Sequence, residues 1–314
     1  MNRIFDRYIV SLFFLLLVTS CFTGIENTKK ITTKDVAKVT QEKGSVKTSE
    51  SRYNNIEVDS FPNWRAGKEF IVVDNNVTRI FVPTSAYDVD TLNLLGKTLK
   101  YIGYTEGNVL DNNPNVNLIF TDGKNELNYS TKKTLEDIKR QKLMLQVPFL
   151  VENDLIEEYN RQLCNKHFFL RTPIWYNEHG DMISGRKYIK VKIEHVYAGD
   201  KVFPLCVSFL TEEGERAYLF MSTKQSSVTN RLFDNLFSEI DLRLNYPLIS
   251  DTVWKHIVNG TVAFGMTKDE CRLSLGIPSN IQEFPTNDGL QESWYYSDGM
   301  YLVFFDGLLK QFRK

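Results

Sequence analysis

The sequence predicts an α+β fold: two helices followed by a three-stranded antiparallel sheet at the carboxy terminus, preceded by a β-rich region with a candidate duplication of a small β module. Three observations carry this reading. Thr267-Lys268-Asp269-Glu270, followed by Gly276 and Pro278, marks the start and stop of one helix. Asp298-Gly299 and Asp306-Gly307 each stand between apolar runs, a strong hairpin signal because both residue types tolerate positive φ. Between Gly67 and Asp241, short aromatic and β-branched runs recur with turn residues between them, the pattern of short strands.

Taken in order, the first twenty residues read as an export signal. Arg3 and Arg7 give a positive start, Tyr8 to Val18 is apolar except for Ser11, and Thr19 and Ser20 are small. A helical run of this length spans roughly 16 Å against a bilayer core of about 30 Å, so it can be threaded and cut but is a poor permanent span. Val18-Thr19-Ser20-Cys21 resembles the lipobox of bacterial lipoproteins, which implies cleavage before Cys21 and lipids on that residue. An ordinary secretory signal with a chance cysteine, or an uncleaved anchor, is the alternative. Each buried methylene contributes about 0.8 kcal/mol, so several acyl chains on Cys21 would hold the chain on a membrane. From Phe22 to about Ser60 the chain turns to Lys, Thr, Ser, Glu and Asn with scattered apolar residues. Such a stretch buries too little apolar surface to offset its ordering entropy and reads as a disordered tether. No Asp follows Cys21; by resemblance to the sorting rule of two-membrane bacteria this favours the outer membrane, facing the periplasm, with surface display as the alternative.

The formal charge of the chain is −1, and loss of Arg3, Arg7 and Asp6 with the signal makes it −2. A nucleic-acid partner would require a basic domain or stripe, so none is expected. With Cys21 lipidated, Cys164, Cys206 and Cys271 remain, an odd number that allows at most one disulfide. Cys206, in an apolar strand, and Cys271, on a helix, are expected to be small buried hydrophobes.

The chain accordingly divides into a signal peptide (1–20), the lipidated cysteine and tether (21–62), two β-rich domains (63–143 and 144–248, the second with helices) and a carboxy-terminal domain (249–314). In the first β-rich part, strands are expected at Phe70–Val73, Val77–Val82, Thr98–Tyr104, Val116–Thr121 and Glu126–Ser130. In the second they are expected at Phe168–Trp175, Tyr188–Val196, Phe203–Leu210 and Ala217–Met221. Helices are expected at Leu135–Leu143, Glu152–Leu163 and Asn230–Asp241, the last for its stripe of Leu232, Phe233, Leu236, Phe237 and Ile240. The candidate duplication sets Val116–Asp122 against Cys206–Glu212, each running through a Gly turn into Ser130-Thr131-Lys132 and Ser222-Thr223-Lys224. Lys97–Tyr104 then matches Lys166–Trp175, with an insertion around Gly180–Lys201. Ordinary hairpins share this pattern, so coincidence stands as the other reading.

At the carboxy terminus, Ser250 or Asp251 can cap a helix with Trp254, Ile257 and Val258 on one face, closed by Gly260. The Thr267 hydroxyl can accept from the Glu270 amide while the Glu270 carboxylate reaches back, a capping box, with Met266 and Cys271 as its hydrophobic staple. Trp294 and Tyr296 alternate with Ser293 and Tyr295; Met300–Phe305 and Leu308–Arg313 follow the two Asp-Gly turns. One helix layer on one face of an antiparallel meander buries both. Asn259-Gly260, Gly265–Cys271, Leu275-Gly276-Ile277-Pro278, Trp294-Tyr295-Tyr296 and Val303–Gly307 resemble the SmpA/OmlA (BamE-like) family of outer-membrane lipoproteins. The resemblance covers about a fifth of the chain. It implies a small non-catalytic α+β domain that binds protein partners at the outer membrane, in the best-known case the β-barrel assembly machinery. In familiar members that domain lies close behind the lipidated cysteine, whereas here a long folded region intervenes, so the partner does not carry over.

Catalytic signals are weak. His167, His179, His195 and His256 stand in no metal-binding spacing, and there is no nucleophile elbow, phosphate loop or dinucleotide fingerprint. Neither cofactor nor metal is expected, and Cys164 with His167 is a poor thiol–base pair because such groups meet through the fold rather than along the chain. The leading expectation is therefore a non-enzymatic, membrane-anchored binder of envelope proteins, concerned with outer-membrane protein assembly or envelope integrity. A ligand-binding or enzyme-inhibitor-like module, resembling the tandem architecture of β-lactamase-inhibitory proteins, is the alternative, and an envelope hydrolase the second. For either binding reading the candidate partner-binding aromatics are Trp294, Tyr295, Tyr296 and Tyr301, half of which strand alternation must send into the core.

Overall fold

A computed structural model describes residues 52–82, 92–107, 114–140, 145–224, 226, 228, 230–286 and 289–313. The signal, Cys21 and the tether up to residue 51 lie outside the described residues. Residues 52–62, expected to belong to the tether, are folded: Arg52–Asn55 forms a 3₁₀ turn, and Tyr53, Ile56 and Phe61 are buried.

The α+β expectation is corrected. Among the described residues the chain is mostly strand, with seventeen strands in antiparallel sheets of six, seven and four, and only short helices. The carboxy-terminal unit is not helix–helix–three strands, because Asn280–Thr286 adds a fourth strand. That strand was hidden by Pro285 and by its irregular alternation. It lies at the sheet edge, where a residue without an amide hydrogen is tolerated.

In chain order the first sheet comprises β1 (Glu69–Val72), β2 (Phe81–Val82), β3 (Thr98–Glu106), β4 (Val116–Thr121), β5 (Glu126–Ser130), helix α1 (Leu135–Arg140) on the way, and β6 (Leu150–Glu152). Helix α2 (Asn153–Leu163) leads into the second: β7 (His167–Leu170), β8 (Ile174–Tyr176), β9 (Met182–Ser184), β10 (Lys190–Ala198), β11 (Leu205–Thr211), β12 (Arg216–Met221), helix α3 (Phe233–Leu236) and β13 (Phe237–Ser238). The β6 strand lies beyond the domain boundary expected at 143/144 yet pairs with β1 in the first sheet.

Three expected elements changed for local reasons. Val77–Val82 is mostly a 3₁₀ turn, Asn75–Ile80, because the Asp74 side chain accepts from the Asn76 amide and starts the turn. Phe168–Trp175 breaks into β7 and β8 around Pro173. Of the helix expected at Asn230–Asp241 only α3 forms, since Phe237 and Ser238 instead pair with Leu170 and Phe169. Phe233, Leu236 and Phe237 are buried as their stripe required, but Ile240 is exposed.

The two larger sheets follow the same path. Their orders are β2-β5-β4-β3-β1-β6 and β13-β7-β10-β11-β12-β8-β9; reversed, the second matches strand for strand, with β9 added at one edge. The match extends to register. Phe70 pairs with Leu99 as Phe168 pairs with Val191. Tyr101 opposite Phe120 is followed by a bulge, as is Ile193 opposite Phe209. Phe120 pairs with Leu127 as Phe209 pairs with Ala217. All ten of these residues are buried. A bulge re-aims every later side chain, so its recurrence at the same pair makes the two modules alike in detail. The sequence alignment had slipped: β3 corresponds to β10 rather than to Lys166–Trp175, Val116 to Leu205 rather than Cys206, and Ser130 to Phe220 rather than Ser222.

Each module has its own core. Phe61, Trp64, Phe70, Tyr101 and Phe120 anchor the first; Tyr53, Ile156, Tyr159, Phe168, Trp175, Phe209 and Phe233 anchor the second. Helix α2 covers the second sheet with Ile156, Tyr159 and Leu163. Its Asn160 side chain donates to the Val196 carbonyl and accepts from the Val196 amide, both at 2.7 Å, supplying backbone partners where β10 has run past β7.

Candidate functional site

The carboxy-terminal unit is helix α4 (Asp251–Val258), helix α5 (Lys268–Leu275), β14 (Asn280–Thr286), β15 (Gly289–Tyr295), β16 (Tyr301–Phe305) and β17 (Leu308–Arg313), the strands forming a meander in sequence order. Both helix starts are held as the sequence required. The Ser250 hydroxyl accepts from the Val253 amide at 3.3 Å. At α5 the box closes both ways, Glu270 amide to Thr267 Oγ1 at 3.3 Å and Thr267 amide to Glu270 Oε2 at 2.7 Å. Gly276 ends α5 at φ 88°, a conformation costly for any residue with a Cβ.

These helices cover one face of the sheet. Ile257, Val262, Met266 and Cys271 meet Trp294, Leu302, Phe304 and Leu309 there. Glu292 is buried on the same face; Lys268 Nζ pairs with it and the Trp294 indole donates to it at 3.3 Å. The Arg272 guanidinium lies 4.6 Å over the Trp294 ring. Tyr296 packs against this core and donates to the Gly276 carbonyl at 3.3 Å, and burial pushes its phenol up to about 12. Trp294, wholly buried, and Tyr296 are therefore parts of the core, not of a surface.

Tyr295 and Tyr301 point the other way. They are directly opposed across β15 and β16, with ring centroids 5.0 Å apart. The Tyr301 hydroxyl lies 3.2 Å from Ser293 Oγ, and the Tyr295 hydroxyl donates to Gln282 Oε1 at 3.4 Å. Register places Asn280, Gln282 and Phe284 of β14, Gln291 and Ser293 of β15, Val303 and Phe305 of β16, and Gln311 and Arg313 of β17 on the same side. Phe284 is 47% exposed and Tyr295 36%, while Ser293 and Val303 between the rings are buried. The face thus combines rigid rings, amides and hydroxyls with a single charge at its edge. Exposed aromatic rings with short polar side chains, and little charge, are what protein-binding patches carry at their centres. Strand alternation in Ser293–Tyr296 could assign Tyr295 to this face; Phe284 was missed because Pro285 masked its strand.

Among the described residues the histidines and cysteines are not gathered. His167, His179 and His195 are exposed on separate elements, and His256 Nδ1 lies 2.9 Å from Thr261 Oγ1. Cys164, Cys206 and Cys271 are all free thiols. Burial pushes the Cys206 thiol up to about 11 and that of Cys271 up to about 12, so both are poor nucleophiles. Cys164 Sγ lies 3.0 Å from Asn160 Oδ1. Cys271 is wholly buried as expected, Cys206 only partly. Among the described residues, no group of three or more His, Cys, Asp or Glu side chains is placed to hold a metal ion, and no helix is long and apolar enough to cross a membrane.

Comparison with protein-family models, with curated proteins and with solved structures finds no match.

Proposed function

We propose that this chain is a non-catalytic binding protein of the bacterial cell envelope, lipid-anchored at Cys21 on the outer membrane facing the periplasm, which holds a protein partner on the open face of its carboxy-terminal sheet. The observation that carries the reading is that face: Tyr295 packed against Tyr301 at one end of the sheet, Phe284 opposite Gln291 towards the other, and amide or hydroxyl side chains in the interval. Aromatic residues contribute disproportionately to binding because they remove a large area from water at little rotamer cost. A lipid anchor followed by a polar tether would keep such a face near a membrane.

The binding claim is tested by comparing wild type with Tyr295→Ala/Tyr301→Ala after affinity purification from detergent-solubilised envelopes. An envelope protein recovered with the wild type and lost with the double variant, at unchanged abundance of the bait, is the expected result. An identical set of co-purifying proteins would rule the face out. The anchor is tested separately: Cys21→Ala should move the chain from the membrane to the soluble fraction, and failure to move would leave the anchor without support.

A further inference from the structure

A cavity of about 360 Å³ opens between the two related modules, within the size range of small-molecule sites. One side comes from the first module, from Phe70, Val73 and the run Leu145–Glu152, and Leu155 from the first turn of α2 adds to the wall from the second. The turn Asp200–Pro204 before β11 and Thr223 after β12 close it from the second. The cavity therefore exists only because the two modules meet here.

The wall indicates what kind of body would fill it. Phe70 and Phe168 are equivalent by register, and Leu150 stands beside Phe70 where Phe237 stands beside Phe168. Trp64 at 5.0 Å and Phe120 at 5.3 Å pack on the Phe70 ring, and the rest of that ring borders the cavity. Phe149, on the cavity wall, is held at φ 66°, a conformation that disfavours bulky side chains and that recurs at ligand-binding positions.

The polar part of the wall is acidic. Asp59, Glu152 and Asp200 contribute carboxylates. The cation on the wall, Lys201, is drawn to Asp74 at 3.5 Å. Buried Lys68 lies 2.9 Å from Glu152 Oε2 and 2.6 Å from Asp154 Oδ2. Glu152 Oε2, though shielded from solvent and near Lys68, has no aligned hydrogen bond. An apolar body would meet Phe70, Val73 and Phe149, and a positive group would meet the carboxylates.

We infer that this cavity binds a small aromatic amine, its ring lying against Phe70, Val73 and Phe149 and its ammonium facing Asp59 and Glu152. The inference is independent of the partner-binding face. It is tested by calorimetric titration of the full chain in lipid nanodiscs with phenethylamine and, as a probe of the same body and opposite charge, 3-phenylpropionate. Two variants accompany the wild type: Val202→Trp, which fills the mouth from a position already 39% exposed, and Asp59→Lys, at an exposed residue of the wall. Saturable binding of phenethylamine, at least about tenfold weaker binding of phenylpropionate, and loss of binding in both variants at unchanged melting temperature are expected, tenfold in affinity being about 1.4 kcal/mol. Absence of saturable amine binding, equal affinity for the two probes, or binding untouched by both variants would overturn it; should Val202→Trp not fold, the Asp59→Lys result decides.

Discussion

Lys187 has its charge state set by burial alone. Its residue is 6% exposed, its Nζ lies 5.2 Å from the Tyr188 ring centroid, and loss of hydration lowers its ammonium from 10.5 to about 8. With the folded value below the unfolded one, the unfolded chain holds more protons between those two values, so stability rises with pH through that window. At and below about pH 8 the full penalty applies, on the order of 3 kcal/mol from the size of the shift. Lys187→Met keeps the length and removes the charge; it should therefore stabilise the fold at pH 7 by roughly 1–3 kcal/mol. Guanidinium unfolding at pH 7 and pH 10 checks this: the gain should shrink at the higher pH, and a gain that grew would contradict the account. A second contrast separates core from face. Trp294→Ala empties a wholly buried site and should cost about 3–5 kcal/mol, whereas Tyr295→Ala, at an exposed site, should cost about 1 kcal/mol or less. Equal losses would mean that the two faces of β15 had been assigned wrongly.

Elements whose ends carry their own chemistry were the most legible. The capping box of α5, its Gly276 stop and the two Asp-Gly turns named their positions, and the helix and strands formed there. Val116–Thr121 and Glu126–Ser130 formed between the same residues as expected, because a hairpin with one buried face leaves little freedom of register. Thr267→Ala should destabilise by about 1 kcal/mol, read as a lower denaturant midpoint at unchanged slope; no shift would mean that the box is not formed in solution. Where tertiary pairing competes with local pattern, the reading failed. The Phe233 stripe has helical spacing, yet Phe237 gains more from the edge of the second sheet than from another turn of helix. Pro285 hid β14, and with it Phe284, the most exposed ring of the candidate face. Tyr295 and Tyr301 were legible as aromatics; which half of the four candidates faced outward followed only once register was known.

Across the whole molecule, the duplication was visible in sequence only as a resemblance between two hairpins, and it was aligned in the wrong register. The loops between equivalent strands differ in length, so a fixed offset fails, and β9 is an addition to one copy. What the copies share is a burial pattern and a bulge, which single residue identities do not record. The carboxy-terminal sheet contributes a different thing: an aromatic, nearly uncharged face opposite the one that α4 and α5 cover. That face is the basis of the proposed role, and photo-crosslinking in intact cells tests it most directly. A photoreactive residue at Gln282 or Gln311, on the open face, should capture one envelope protein. The same residue at Lys255, on α4, should not, and Tyr295→Ala/Tyr301→Ala should abolish the product. Equal capture from both sides of the sheet, or no capture from Gln282 and Gln311, would contradict the account.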